Sequence, residues 1–179
     1  MKLIILDRDG VINEDSDEFI KSEDEWHPIP GSLAAIAKLN HAGYRVVVAT
    51  NQSGLARGLF DIKALNAIHA KMHNQLAQCG GAIEAVFFCP HGPDDKCACR
   101  KPAPGMFHDI SRRLRQPLYK TIVVGDKLSD IEAALAVKAR AMLVKTGKGQ
   151  LTLDNNTLPG EVDISDNLST LVDSLLAED

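Results

Sequence analysis

The sequence is poor in aromatic residues, at 4%, and contains no long hydrophobic run. Its core must therefore be built from Val, Ile, Leu and Ala, and no segment reaches the length of a membrane span. Positive charge is also in deficit, since 20 Lys and Arg residues face 24 Asp and Glu residues. A net charge of -4 argues against nucleic-acid and membrane-surface proteins, which usually present a basic face. We expect a cytoplasmic protein with neither kind of partner.

The remaining composition is that of an ordinary globular chain, with 45% hydrophobic and 25% charged residues. A length of 179 residues predicts one domain over positions 1–179, large enough to bury a core. We expect a monomer.

Short β-branched runs alternate with segments of helical periodicity. The predicted strands are Leu3–Leu6, Arg45–Ala49, Ala85–Cys89, Thr121–Val124 and Ala141–Val144. The predicted helices are Ser32–His41, Ile62–Gln78, Gly105–Arg115, Ser129–Lys138 and one near Leu168–Leu176. This alternation predicts an α/β fold with a doubly wound parallel sheet. The segment Gly147–Glu161 has no periodicity and is predicted to be a surface loop.

Polar residues follow four of the predicted strands. They are Asp7, Asp9 and Gly10 after the first, Thr50, Asn51, Gln52 and Ser53 after the second, Lys101 after the third, and Asp126 and Asp130 after the fourth. Each group alone is typical of an ordinary turn. The carboxyl ends of parallel strands meet at one edge of a sheet, so the groups are expected to converge there. Together they predict phosphoryl chemistry.

The order Asp-x-Asp-Gly, Thr-Asn, Lys and Gly-Asp-x-x-x-Asp resembles the haloacid dehalogenase-like (HAD) phosphatase superfamily. The resemblance covers Leu3 to about Val144 and implies a Rossmann-like core and a Mg²⁺-dependent phosphohydrolase. Asp-Arg-Asp-Gly-Val-Ile-Asn, Thr-Asn-Gln-Ser-Gly-Leu-Ala-Arg-Gly, Cys-Pro-His and Cys-x-Cys-Arg-Lys-Pro are similar to motifs of one branch of it. Members of that branch act on heptose bisphosphate or on histidinol phosphate.

The resemblance implies a role for each acid of the first motif. Asp7 would attack phosphorus and form an aspartyl-phosphate. Asp9 would protonate the leaving oxygen and later take a proton from water. Two carboxylates this close should raise the pKa of one of them, which would suit Asp9 as the acid. Thr50 and Asn51 would hydrogen-bond the phosphoryl oxygens, and Lys101 would neutralise the charge on them; the alternative for Lys101 is a solvated surface lysine.

Two metals are expected. The resemblance implies Mg²⁺ held by Asp7, Asp126 and the backbone carbonyl of Asp9, with Asp130 orienting the site from behind. The zinc loop, residues 89–99, offers four soft ligands at tetrahedral spacing: Cys89, His91, Cys97 and Cys99. With no open position, that zinc would be structural and would fix the backbone before Arg100 and Lys101. The alternative is a set of unligated thiols.

Substrate selection is expected to come from three short loops, Asp15–Glu18, Gln52–Arg57 and Arg100, because no insertion is long enough to form a cap domain. The resemblance has Asp15, Ser16, Asp17 and Glu18 facing sugar hydroxyls, although a solvated acidic turn is the alternative for that run. The other expected substrate contacts are Asn51, Gln52, Ser53, Arg100 and Lys127.

The resemblance favours removal of the 7-phosphate from D-glycero-D-manno-heptose 1,7-bisphosphate as the function, and it implies a role in lipopolysaccharide assembly. Two alternatives stay open. The first is a histidinol-phosphate phosphatase or another small sugar-phosphate phosphatase. The second is a zinc-organised interaction module, which is disfavoured because binding alone needs no Asp7, Asp9 and Asp126 together.

Overall fold

Strands and helices alternate along the chain in a computed structural model that describes residues 2–155 and 157–178. The strands are β1 (Lys2–Leu6), β2 (Tyr44–Asn51), β3 (Ala85–Cys89), β4 (Thr121–Gly125), β5 (Arg140–Val144) and β6 (Asp163–Ser165). The helices are α1 (Ser32–His41), α2 (Ile62–Gln78), α3 (Gly105–Leu114), α4 (Leu128–Ala136), α5 (Gly149–Asn155) and α6 (Leu168–Glu178). None of the helices in the described ranges has the length and hydropathy needed to cross a membrane.

The strands form one six-stranded parallel sheet in the order β3-β2-β1-β4-β5-β6. Strand β1 lies in the middle, with Leu6 aligned to Val48 on one side and Val124 on the other. The chain first builds outward from β1 to β3 and then returns to β4, so strand order reverses beside β1. Crevices at such reversals, outside the carboxyl ends of the strands, are where α/β sheets bind ligands.

Both faces of the sheet are buried. Ile4 and Leu6 of β1 pack into one core with α1, α2 and α6, whereas Leu3 and Ile5 pack into a second core with α3 and α4. Neighbouring residues of a strand point to opposite faces, so a continuously apolar strand requires cover on both sides. The predicted doubly wound α/β fold is confirmed.

The prediction of a loop over Gly147–Glu161 is wrong, because the segment contains α5 and is followed by β6. Helix α5 is held by tertiary contacts: the hydroxyl of Thr152 donates to the Asp126 carbonyl at 2.8 Å. Strand β6 has three residues, largely exposed, and extends the sheet beyond β5. Elements this short carry no periodicity to detect.

We predict that G149A destabilises the protein by about 3 kcal/mol, because overpacking a close backbone contact is costly. A Cβ at Gly149 would lie 1.7 Å from the Val144 carbonyl oxygen, so β5 and α5 would have to separate. G92A is the control, since its nearest neighbour would lie 3.5 Å away. Urea unfolding measures both variants, and equal stability for G149A and G92A would contradict the prediction.

Candidate active site

A cavity of about 330 Å³ opens at the carboxyl edge of the sheet, beside β1. The sequence-predicted site residues that line it are Asp7, Asp9, Asp15, Ser16, Asp17, Thr50, Asn51, Gln52, Ser53, Arg100, Lys101 and Lys127. Asp126 does not line it, because its side chain is completely buried. Glu18 lines a neighbouring cavity that shares Asp15 and Ser16 with the first. The strand ends therefore converge as the sequence predicts.

Lys101 is a buried cation, with only 4% of its surface exposed. Its Nζ lies 3.1 Å from Asp7 Oδ1 and 2.6 Å from Asp130 Oδ1, and it donates to the Ala49 carbonyl at 2.7 Å. A solvated surface lysine is thereby excluded. The ammonium instead ties the end of β1 to the turn after β4, in a setting where removing either charge leaves the other buried and unpaired.

Asn51 positions the backbone of Lys101. Its Nδ2 donates to the Lys101 carbonyl at 3.0 Å, and its Oδ1 accepts from the Lys101 amide at 3.1 Å. Both polar atoms of the side chain are occupied by this one residue. The contact fixes the loop after β3 against the end of β2.

Asp130 orders the turn after β4. Its Oδ2 accepts from the amides of Asp126 at 3.2 Å and Lys127 at 3.0 Å, while Oδ1 takes the Lys101 ammonium. Burial alone would raise the pKa of Asp130, but the charges of Lys101 and Lys127 outweigh it and lower that pKa. With both oxygens occupied, Asp130 makes the contacts of an orienting residue.

Asp126 is enclosed by two glycines. A Cβ at Gly10 would lie 2.1 Å from Asp126 Oδ2, and one at Gly147 would lie 2.4 Å from it. The same oxygen accepts from the Lys148 amide at 2.8 Å. Burial raises the pKa of Asp126 to about 7, the Lys127 charge opposes the rise, and the nearby acids add to it.

The carboxylates at this edge fit a hard divalent cation. Oxygens of Asp7, Asp126 and Asp130 lie within 4.8 Å of one another. Burial raises the pKa of Asp7 as well, even though Lys101 counteracts it. The Lys127 ammonium lies among the acids, 3.1 Å from Asp126 Oδ1 and 4.0 Å from Asp7 Oδ2. A cation is therefore favoured between Asp7 and Asp126, and their oxygens are the ligands that Mg²⁺ prefers.

Asp9 is saturated with donors. Its Oδ1 accepts from Arg8 Nε at 2.8 Å and Asn13 Nδ2 at 2.9 Å; its Oδ2 accepts from Arg8 Nη2 at 3.0 Å and Gln52 Nε2 at 3.1 Å. Burial would raise the pKa of Asp9, but the Arg8 charge and these hydrogen bonds lower it. The expectation of a raised pKa at Asp9 is wrong: the raised pKa belongs to Asp7.

Arg8 and His69 are two site neighbours that the sequence did not indicate. Arg8 is completely buried, and its Nη1 lies 3.1 Å from His69 Nε2 on α2. Burial lowers the pKa of His69 to about 4, with the charges of Arg8 and His73 acting in the same direction. Arg8 stood within the first motif, but His69 had no signal beyond its place on an amphipathic helix.

The rim of the cavity carries two further cations: Lys148, which the sequence did not indicate, and Arg57, which ends the loop Gln52–Arg57 expected to select the substrate. Lys148, after β5, forms an ion pair with Asp17. Arg57, after β2, places its guanidinium 5.6 Å from the centre of the Phe19 ring. With Arg100 and Lys127, these side chains place four cations around a cavity that also carries Asp15 and Asp17, so partners for an anionic group lie beside acceptors for hydroxyl groups.

The four predicted zinc ligands lie together. Cys89 Sγ is 3.1 Å from Cys99 Sγ, 3.6 Å from Cys97 Sγ and 3.5 Å from His91 Nδ1. Ligand atoms about 2.0 to 2.3 Å from a tetrahedral Zn²⁺ are separated by similar distances, so the group fits this ion. Hydrogen bonds to Cys97 outweigh the opposing effect of burial and lower its pKa to about 6. The adjoining Arg100 donates its amide to Cys97 Sγ at 3.4 Å.

Comparison with known proteins gives close relatives. A model of the HAD-hydrolase-like family matches residues 98–171. The chain is 57% identical over 178 residues to the D-glycero-β-D-manno-heptose-1,7-bisphosphate 7-phosphatase of Bordetella bronchiseptica, covering 99% of each chain. It is 51% identical to the enzyme of that name from Pseudomonas aeruginosa, covering 97% of each.

Solved structures agree with the sequence relatives. The D,D-heptose 1,7-bisphosphate phosphatase from B. bronchiseptica, complexed with magnesium and phosphate, superposes with a TM-score of 0.98 at 56% identity and 100% coverage of both chains. The corresponding phosphatase from Burkholderia thailandensis gives a TM-score of 0.80 at 47% identity, covering 99% of each chain.

We predict that His69 makes stability depend on pH. Its pKa falls from 6.5 to about 4 on folding, so between these values the unfolded chain binds more protons. The stabilisation is complete above pH 6.5 and is lost as the pH falls toward 4. H69L should remove about 2 kcal/mol of the stability difference between pH 7 and pH 5. Urea unfolding at the two pH values measures it.

H108L, which replaces an exposed histidine on α3, is the matched control and should keep the pH dependence of the parent protein. Parallel pH profiles for H69L and H108L would refute the assignment.

Proposed function

This chain belongs to the HAD-like hydrolases, in the branch of the D-glycero-β-D-manno-heptose-1,7-bisphosphate 7-phosphatases, and we propose that it hydrolyses the 7-phosphate of that bisphosphate through an aspartyl-phosphate at Asp7. One observation carries the proposal. The Asp7 carboxylate lies on the cavity floor, bound to Lys101, with Asp126 and Asp130 within cation-binding range.

The first half-reaction transfers the phosphoryl group to the protein. An Asp7 oxygen forms a bond to phosphorus while the bond from phosphorus to the C7 oxygen breaks. Asp9 gives its proton to that leaving oxygen; the negative charge of the bound phosphate raises the pKa of Asp9 and so opposes the lowering by Arg8. Lys101 and the Thr50 hydroxyl offset the negative charge on the phosphoryl oxygens.

The second half-reaction regenerates the protein. Asp9, now a carboxylate, takes a proton from a water molecule whose oxygen attacks phosphorus. The bond between phosphorus and Asp7 breaks, and inorganic phosphate leaves with Asp7 again a carboxylate.

Asp7, Asp126 and the backbone carbonyl of Asp9 would hold Mg²⁺, which supplies positive charge that lets a phosphate dianion approach a carboxylate. Contacts within the chain fix the carboxylates that would hold the Mg²⁺. The glycine enclosure and the Lys148 amide fix Asp126, and Asp130 together with Lys101 fixes the turn and the nucleophile.

Four cations around the cavity offer partners for the second phosphate of a bisphosphorylated substrate, which histidinol phosphate lacks. Arg57, Arg100, Lys127 and Lys148 all line the cavity, and histidinol carries an ammonium group where a second phosphate would stand. Asp15, Ser16 and Asp17 line the same cavity and are proposed to accept hydrogen bonds from sugar hydroxyls. The cytoplasmic location, the monomeric state and a role in surface-glycan assembly stay predictions.

We predict that phosphate release is at least tenfold faster, as kcat/KM, with heptose 1,7-bisphosphate than with histidinol phosphate, since one good charge pair is worth that factor. Both anomers of the heptose are assayed with Mg²⁺. D7N should abolish release, whereas D109N, at an acid on α3 outside the cavity, should not. Preference for histidinol phosphate would reject the substrate, and an active D7N would reject the chemistry.

We propose that the zinc loop holds a structural Zn²⁺ that aims Arg100 and Lys101. C99S should lose at least about tenfold in zinc affinity and part of its activity, because one of four ligands is gone. C79S is the matched control, since Cys79 is an exposed thiol outside the loop. Metal content by mass spectrometry and the thermal unfolding midpoint are measured together. Full zinc content in C99S, or none in the parent protein, would contradict the proposal.

A further inference from the structure

Arg8 is a charged side chain with no contact to the cavity, and the reaction as described does not use it. It lies between the two acids of the first motif, and it is completely buried. Burying a guanidinium is costly unless it is paired and hydrogen-bonded. The partners of Arg8 therefore indicate which groups it holds in place.

One partner is the Asp9 carboxylate, which Arg8 grips with two nitrogens. Nε contacts Oδ1 at 2.8 Å and Nη2 contacts Oδ2 at 3.0 Å. A bidentate contact of this kind fixes the plane of the carboxylate as well as its position. Asn13 and Gln52 add one donor to each oxygen, and the Gln52 amide also donates to the Thr50 hydroxyl at 2.9 Å.

The other partner is His69 on α2, whereas Arg8 itself lies in the turn after β1. Arg8 Nη1 and His69 Nε2 lie 3.1 Å apart. A guanidinium has no acceptor, so His69 Nε2 must be the acceptor and the ring must be neutral. His69 thus holds Nη1 of the guanidinium, while Nε and Nη2 contact Asp9.

We propose that Arg8, held by His69, is a positioning residue that fixes the orientation of the Asp9 carboxylate for proton transfer. The inference rests on the proposed role of Asp9 as the acid. A proton donor acts only when it lies within hydrogen-bond reach of the leaving oxygen, and a rigid fork anchored on α2 supplies that constraint. Lysine could match the charge of Arg8 but not its two-point contact.

The leaving group distinguishes positioning from a general structural role. Expulsion of a sugar alkoxide needs a proton, whereas expulsion of 4-nitrophenolate does not, and kcat/KM reports the steps up to that expulsion. Loss of positioning should therefore lower kcat/KM for heptose bisphosphate and spare kcat/KM for 4-nitrophenyl phosphate. A distorted nucleophile or metal site would lower both.

We test this with H69L and R8K. Each should lose about tenfold or more in kcat/KM on heptose bisphosphate, through kcat with KM little changed, and less than about twofold on 4-nitrophenyl phosphate. H69Q retains an acceptor for Arg8 and should stay within about threefold of the parent protein on both substrates. H73L, at an exposed position four residues along α2, is the matched control and should match the parent.

D9N is the reference variant that separates the acid role of Asp9 from the positioning role of Arg8 and His69. If D9N loses equally on both substrates, the proposed acid role fails. If D9N discriminates between them while H69L and R8K do not, only the positioning role is overturned. Circular dichroism and thermal unfolding establish folding, and H69F replaces H69L if that variant does not fold.

Discussion

The ion pair between Lys101 and the two acids Asp7 and Asp130 is the contact on which the site depends. It joins the end of β1, the loop after the zinc ligands and the turn after β4 at one buried ammonium. Carboxylates this close would repel one another without a cation between them. The same concentration of negative charge attracts a divalent cation. One electrostatic constraint therefore holds the strand ends together and prepares the metal position.

Around that cluster the fold places each acid in a different environment. Asp7 faces the cavity beside a cation, Asp126 is enclosed below it by two glycines, and Asp130 is fully occupied in ordering a turn. Asp9 forms its ion pair with Arg8, outside the cluster of Asp7, Asp126 and Asp130. Chemically identical side chains thereby acquire separate tasks, because their partners set their pKa values in opposite directions.

The sequence was enough to predict five of the six strands and the convergence of their ends. Continuous apolar runs require cover on both faces, and polar residues at the strand ends then meet by geometry. Helix α5 and strand β6 were not predicted, because contacts with the rest of the fold hold them. The Thr152 hydroxyl binds α5 to the Asp126 carbonyl, and β6 pairs with β5. The Asp9 pKa was assigned the wrong direction because the repulsion between neighbouring acids is visible in sequence, whereas the path of the Arg8 side chain is not. His69 and Lys148 come from distant segments and carry no local signal.

The central claim is that Asp7 attacks phosphorus, and the stereochemistry at phosphorus tests it most directly. A heptose bisphosphate whose 7-position carries a chiral, isotopically labelled thiophosphate is hydrolysed in labelled water, and the configuration of the released thiophosphate is determined. Two successive displacements, first by Asp7 and then by water, predict net retention. Net inversion would show a single displacement by water and would contradict the account.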